Sequence, residues 1–402
     1  MKKIAKLSLV AAVAVAGFTS ANAQSLEEAI KGVETSGSVV YRYNNYGNDS
    51  STATDADKAT NNYKVGLNLS SKVNEDVKFN SRLIVGGTDA GWAADGLNAQ
   101  DGGDANPGVT LSNAYFGYTG VKNTTVNVGK QGLTTPWTVA TQADGNEQTG
   151  TGILALSTVG PVTLAGAYFN QTNLGDASTS NGNPTIISTV LDGSEDIATV
   201  GAIVAAGPVT LDAWYIDLAD KFDSYTIGAK SDLDLSGAKL GVDARWASLE
   251  LDNSLNPNGD KNTMAKIALT AKAGIVNGKV AYAMTGKDGG LTALDNDATT
   301  TLLGWTLTSN GKADADYWQA VAGVDILSNL NLSANYGNLQ YKASANSTTE
   351  IEEEEIYAQL LYKMSKNLTS YVRYGTYTND TQVNGDDKND DVRGRIQVAY
   401  TF

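Results

Sequence analysis

The sequence contains no cysteine and no histidine, and only six of its 402 residues are proline. Without cysteine there is no disulfide framework, no thiolate metal site and no thiol nucleophile. Without histidine there is no Ser-His-Asp triad, no imidazole-bound zinc and no imidazole general base. Basic residues are scarce, 29 Lys+Arg against 44 Asp+Glu, giving a formal charge of −15. That balance argues against nucleic-acid partners, which need positive surface. After the first residues no run reaches about 18 apolar positions, so no membrane helix is expected.

What is present begins with a targeting segment. Lys2, Lys3 and Lys6 form a positive start, an apolar stretch runs from Ile4 to Phe18, interrupted by Lys6 and Ser8, and Ala21-Asn22-Ala23 supplies small residues for cleavage. Residues 1–23 therefore read as a secretory signal peptide. The run is too short for a comfortable membrane anchor. Its removal leaves 26 basic and 44 acidic residues, a charge of −18. Residues 24–36 form a leader, in which Ser25 and Glu28 make a capping box for a short helix; an irregular leader is the alternative.

From residue 37 to 402 the pattern is that of strands. Val392, Gly394, Ile396, Val398, Tyr400 and Phe402 share one parity, and Arg393, Arg395, Gln397, Ala399 and Thr401 the other. Side chains alternate faces along a strand, so one face is apolar and its opposite polar. The same alternation occurs around Tyr63–Leu69, Leu240–Trp246, Leu330–Tyr336 and Ile356–Tyr362. Strands are expected near 37–46, 62–71, 76–86, 110–119, 123–130, 150–158, 161–170, 197–205, 208–217, 223–231, 238–249, 263–272, 278–286, 316–326, 330–341, 352–363, 367–378 and 392–402. Short links alternate with longer polar ones, as in barrels with short periplasmic turns and long outer loops. Residues 302–308 also look strand-like, but counting them breaks the even number and the alternation of links, so they fall in a loop. The expected fold is an all-β transmembrane antiparallel barrel of 18 strands, with 16 as the alternative.

A polar face opposite an apolar one on every strand suits lipid outside and water inside. Closure removes the sheet edges that a bilayer would not tolerate. Eighteen strands enclose more space than side chains fill.

Charge is partitioned along this chain. The nine long links carry 27 acidic and 7 basic residues, while the rest of the chain after residue 23 carries 17 and 19. Clusters such as Asp101/Asp104, Glu195/Asp196 and Asp386, Asp387, Asp390, Asp391 would gather cations at the entrance. They could also bind Ca²⁺, although none has the spacing of a known calcium loop. No cofactor is required. The Glu352–Glu355 run reads as a solvated strand end.

Arg42, Arg82, Arg373, Arg393 and Arg395 lie on the polar parity of the first, third and last two strands, which closure makes neighbours. The third long link, 131–149, contains Asp144 and Glu147 and could fold inward. Arginines facing those carboxylates would set a transverse field and ion selectivity. The alternative is that each arginine is solvated or paired locally. Trp214, Tyr357, Tyr371 and Tyr377 are inward aromatics without an evident ladder.

Ser25–Ile30, Lys31-Gly32-Val33, Ser36-Gly37, Tyr41-Arg42-Tyr43 and the terminal Tyr400-Thr401-Phe402 resemble the major outer membrane porins of Campylobacter and its relatives. The resemblance implies a homotrimeric diffusion porin with an inward third loop and a preference for cations, embedded among outer-membrane lipid and lipopolysaccharide. The last strand is similar to the signal read by the barrel assembly machinery. The expected function is a passive channel for small hydrophilic solutes, not an enzyme. A substrate-specific channel and a surface adhesin on a barrel scaffold are the alternatives.

Overall fold

The computed structural model describes residues 32–48, 58–87, 107–172, 191, 193–255, 261–345, 347–381 and 388–402. The expected signal peptide, the capping box at Ser25 and the acidic pairs Asp101/Asp104 and Asp386/Asp387 lie outside these residues.

Eighteen antiparallel strands form one sheet. In order they are β1 (Glu34–Asn48), β2 (Lys58–Lys72), β3 (Val77–Gly86), β4 (Gly108–Tyr118), β5 (Thr124–Gln131) and β6 (Gly150–Val159). Then come β7 (Val162–Thr172), β8 (Ile197–Ala206), β9 (Val209–Leu218), β10 (Phe222–Leu235), β11 (Ala238–Leu251) and β12 (Lys261–Ala273). The last six are β13 (Val276–Thr285), β14 (Ala313–Leu327), β15 (Leu330–Lys342), β16 (Glu350–Lys363), β17 (Leu368–Thr381) and β18 (Lys388–Thr401). Each strand pairs with its sequence neighbours, and β18 pairs with β1 from Ser38↔Thr401 to Asn48↔Asp391, closing the barrel.

Every expected strand is present, so the count is 18, and 302–308 lie in a loop with only a bridge between Leu303 and Thr308. Three features differ from expectation. β1 starts at Glu34, inside the expected leader, because its register with β2 continues from Gly37↔Leu67 back to Glu34↔Ser70. The link between β9 and β10 is only 219–221, as short as a turn. Glu353 and Glu355 are buried rather than solvated, because the alternation of β16 turns both toward the lumen.

Two-residue turns at 160–161, 207–208, 236–237 and 274–275 mark one end of the barrel. Each holds a glycine at positive φ, the backbone that primed hairpin turns require. The apolar parity faces outward, leaving Val39, Tyr41, Ile396, Tyr400 and Phe402 exposed on the seam between β18 and β1. Outward aromatic pairs lie toward opposite ends of the wall: Phe79–Phe116 near the short turns and Tyr282–Trp318 near the long links. This is the aromatic-girdle pattern of a bilayer-spanning barrel. Among the described residues no helix is long and apolar enough to cross a membrane; the strands do so.

Candidate permeation site

Among the described residues, two long links meet the lumen wall at many points, and Leu191 of the β7–β8 link joins them. The first, called L3 here, spans 132–149 between β5 and β6. Its tip is a small hairpin: Thr141 bridges Glu147, Gln142 N donates to Asn146 O at 2.8 Å, and Gly145 turns with φ 96. Asp144 stabilises that turn by accepting from Asn146 N and Nδ2, both at 2.9 Å. The hairpin thereby aims Glu147 at the strand wall.

Glu147 is buried there and heavily partnered. Arg82 of β3 donates from Nε at 2.9 Å and from a terminal nitrogen at 2.7 Å to Oε1. Ser112 of β4 donates to Oε2, and Lys64 Nζ of β2 stands 3.7 Å away while donating to the Gly145 carbonyl. Two-pronged guanidinium–carboxylate geometry fixes direction as well as charge. Gly66 makes it possible. A Cβ at this lumen-facing position of β2 would sit 2.4 Å from the terminal nitrogen of Arg82. Gly66→Val is therefore expected to displace Arg82 and cost about 1–3 kcal/mol through the unmade charged hydrogen bonds. Thermal unfolding in detergent checks this, and combining it with Arg82→Ala should add less than the separate losses.

The second link, called L7 here, spans 286–312 between β13 and β14, and clasps L3. Trp137 O accepts from Leu294 N at 3.0 Å and Asp295 N at 3.1 Å, and Pro136 O accepts from Thr300 N at 3.0 Å. Trp137 is fully buried and donates from Nε1 to Ser224 Oγ of β10 at 2.8 Å. Leu133, Trp137, Leu291 and Leu294 join Ile216, Leu218, Phe222 and Leu249 in one apolar cluster. One sector of the inner wall is thus apolar, which corrects the expectation of a uniformly polar lumen. The long links dock there by excluding water. Trp214 is at the edge of this cluster, its ring lying over Gly201.

Asp295 is buried in the clasp, accepting from Val139 N at 2.9 Å and Gln142 Nε2 at 3.0 Å. Burial pushes its carboxyl up to about 7, against the lowering effect of those hydrogen bonds. An acid raised in the folded state binds protons there that the unfolded chain has already lost. Its contribution to stability is full below an ordinary aspartate range and falls as pH rises through about 7. Amide exchange at Val139 and Leu294, corrected for intrinsic rate, should be faster at pH 8 than at pH 5. Asp295→Asn should remove most of that difference; equal protection at both pH values would contradict it.

L7 continues across to the opposite sector. Lys266 of β12 holds the Thr301 carbonyl at 2.8 Å. Glu355 of β16 accepts from the backbone N–H groups of Trp305, Thr306 and Leu307 at 2.9, 2.7 and 3.4 Å. Glu353 holds Lys312 at 3.2 Å and Tyr341 OH at 2.6 Å. This places Trp305 among the arginines of β17 and β18. The Arg373 guanidinium carbon lies 4.9 Å from the Trp305 ring centre, 4.9 Å from Tyr357 and 5.3 Å from Tyr371. Arg395 lies 5.7 Å from Trp305, and Arg393 lies 4.3 Å from Tyr377. Arg393 also donates to Thr306 Oγ1 at 2.6 Å and to Asp391 at 2.9 Å. Arg42 donates to Gln397 at 2.9 Å.

Of the five arginines on this wall, Arg82 is brought directly onto the L3 carboxylate Glu147. Arg373, Arg393 and Arg395 instead surround the L7 tip, and the tyrosines Tyr357, Tyr371 and Tyr377 gather around them. Sequence reasoning missed Lys64, Glu355 and Trp305. It also missed the pair on the facing wall, where Arg245 of β11 donates to Asp212 of β9 at 2.8 Å across Gly228. The available signal for L7 was the strand-like run 302–308, whose Leu302, Trp305 and Leu307 are unusual in an outer link.

A closed 18-stranded barrel with a charged interior matches the family described as Campylobacter major outer membrane protein, along residues 1–402. The chain belongs to that family. It is therefore a β-barrel integral to the outer membrane, a porin and not an enzyme. No curated protein matches it. Among solved structures, a BenF-like porin from Pseudomonas fluorescens Pf-5 is similar at TM-score 0.74 and 17% identity, covering 92% of this chain and 98% of that one. OccK5 (OpdH) of Pseudomonas aeruginosa is similar at TM-score 0.70 and 16% identity, again covering 92% and 98%. OpdK from the same organism, whose structure contains vanillate, gives TM-score 0.69 and 15% identity over 92% and 98%. At such identities the likeness concerns the fold, and this family member's charged lumen has to be read from its own residues.

Proposed function

We propose that this porin is a passive diffusion channel for small hydrophilic solutes that favours cations and works as a homotrimer. The observation that carries the cation preference is the net −20 of the long links, set against +2 for the remaining chain after residue 23. Fixed negative charge around a water-filled mouth raises the local concentration of cations. The L3 carboxylate Glu147 is offset by Arg82 and Lys64, so the bias arises mainly at the entrance rather than at this carboxylate. Reversal potential in a tenfold salt gradient across a planar bilayer tests the reading. Potassium should carry more current than chloride, and the bias should shrink as ionic strength rises. A chloride-selective pore would reject the preference, and a protein that never conducts would reject the channel. Cross-linking in native membranes tests the trimer.

The acidic long links are also the proposed seat of weak Ca²⁺ binding and of contact with lipopolysaccharide through shared divalent ions. Oxygen-donor density supports this. Among the described residues no group of three or more acidic side chains is arranged to hold an ion. The β18 strand, with its alternating apolar face ending at Phe402, is the proposed contact for the barrel assembly machinery.

A further inference from the structure

We infer that Arg373, Arg395 and the ring of Trp305 form a subsite in the lumen for a small planar organic carboxylate. This rests on the channel reading and goes beyond its cation preference by naming one class of organic anion that the lumen would hold. The first observation is electrostatic. Arg373 and Arg395 are direct partners across β17 and β18. Like charges placed opposite each other in a sheet destabilise it. Elsewhere on the lumen wall Arg82, Arg245 and Arg393 each touch a carboxylate, at 2.7, 2.8 and 2.9 Å. Among the described residues neither Arg373 nor Arg395 makes such a pair. The nearby Glu355 is committed to the backbone of the L7 tip.

The second observation is the count of donors. Arg373 spends Nε and one terminal nitrogen on the single oxygen Oε1 of Gln359, at 2.9 and 2.7 Å. Arg395 spends Nε on Asn44 at 2.6 Å and one terminal nitrogen on Tyr46 OH at 2.8 Å. A guanidinium has five N–H groups, so each retains donors for a ligand. Both side chains and Trp305 are only partly buried, hence open to solute.

The third observation is shape. Trp305 meets Tyr357 edge-on at 5.2 Å, and these rings with Tyr371 wall the space beside the guanidinium groups. Arg373 lies over these rings; guanidinium edges match a carboxylate in two-pronged fashion, and the ring surface that Arg373 leaves open matches a flat apolar body. A hydrated halide would use the charge and leave the aromatic wall unused.

Benzoate is a suitable probe, with benzamide as its neutral counterpart. Titration calorimetry on the detergent-purified full chain should give saturable binding of benzoate in the millimolar range and none of benzamide. Arg373→Gln and Arg395→Gln should each weaken benzoate about tenfold, and together abolish it. If the Gln variants do not fold, Arg373→Lys and Arg395→Lys keep the charge but lose the fork, and should still weaken it severalfold. Undiminished affinity in folded variants, or equal binding of benzamide, would overturn the subsite. A protein that conducts salt but gives no benzoate heat would overturn the subsite and leave the channel standing. Benzoate binding that depends on these arginines in a protein without conductance would do the reverse.

Discussion

Glu147→Gln is expected to move the reversal potential toward anions and to loosen L3 from the wall. The carboxylate is almost fully buried, its side chain 4% exposed, and holds Arg82 and Lys64. Neutralising it leaves two cations in the lumen with their shared counter-charge gone. Removing one partner of a buried ion pair costs about 3–5 kcal/mol. Arg82 is partly open to water, so the lower part of that range applies. Bilayer recordings in a salt gradient would show chloride gaining on potassium several-fold, and thermal unfolding of L3 would begin earlier. Glu147→Asp keeps the charge on a shorter arm and should shift selectivity much less. An unchanged reversal potential in Glu147→Gln would mean that ions do not sense this carboxylate.

Trp137→Ala has the largest expected structural effect. The indole is fully buried where L3, L7 and β10 meet, and its N–H is satisfied by Ser224. Losing a buried Trp side chain costs about 3–5 kcal/mol, from lost burial and the cavity left behind. The cost falls on the clasp and not on the barrel, because strand pairing around the ring does not pass through Trp137. Single-channel conductance should therefore rise and become noisy, while the far-ultraviolet strand signal is kept. Limited proteolysis within 286–312 should become faster. Trp137→Phe retains most of the volume and should lie between the two; wild-type conductance and protease resistance in Trp137→Ala would show that L3 and L7 hold their positions independently.

The contrast between those two sites shows what a linear chain reveals. Strands such as 392–402 were legible because lipid and water impose opposite chemistry on successive residues. Arg82 and Glu147 both stand out, since a charged strand residue and an acidic link are conspicuous in sequence. Their pairing was not fixed, because it depends on a hairpin between Thr141 and Glu147 and on the space above Gly66. L7 reads as a loop in the sequence, which does not reveal its role as an internal strut. Periodicity does not distinguish a loop whose leucines meet other loops from one with stray apolar residues. Lys64 looked like any polar-face residue until the Gly145 carbonyl came within its reach. Glu353 and Glu355 looked solvated because four consecutive glutamates resemble a charged surface, whereas alternation sends half of them inside.

The seam between β1 and β18 has a consequence for how the chain is made. Gly37 N donates to the Phe402 carbonyl at 2.9 Å, and Phe402 N returns a bond to Gly37 O at 3.1 Å. These contacts join positions separated by nearly the whole polypeptide, the slowest kind of encounter for a chain to achieve. Until it happens, the growing sheet presents two raw margins able to capture a neighbouring molecule. Completion of the cylinder is thus a late step of folding, and the interval before it is when the two margins most need protection.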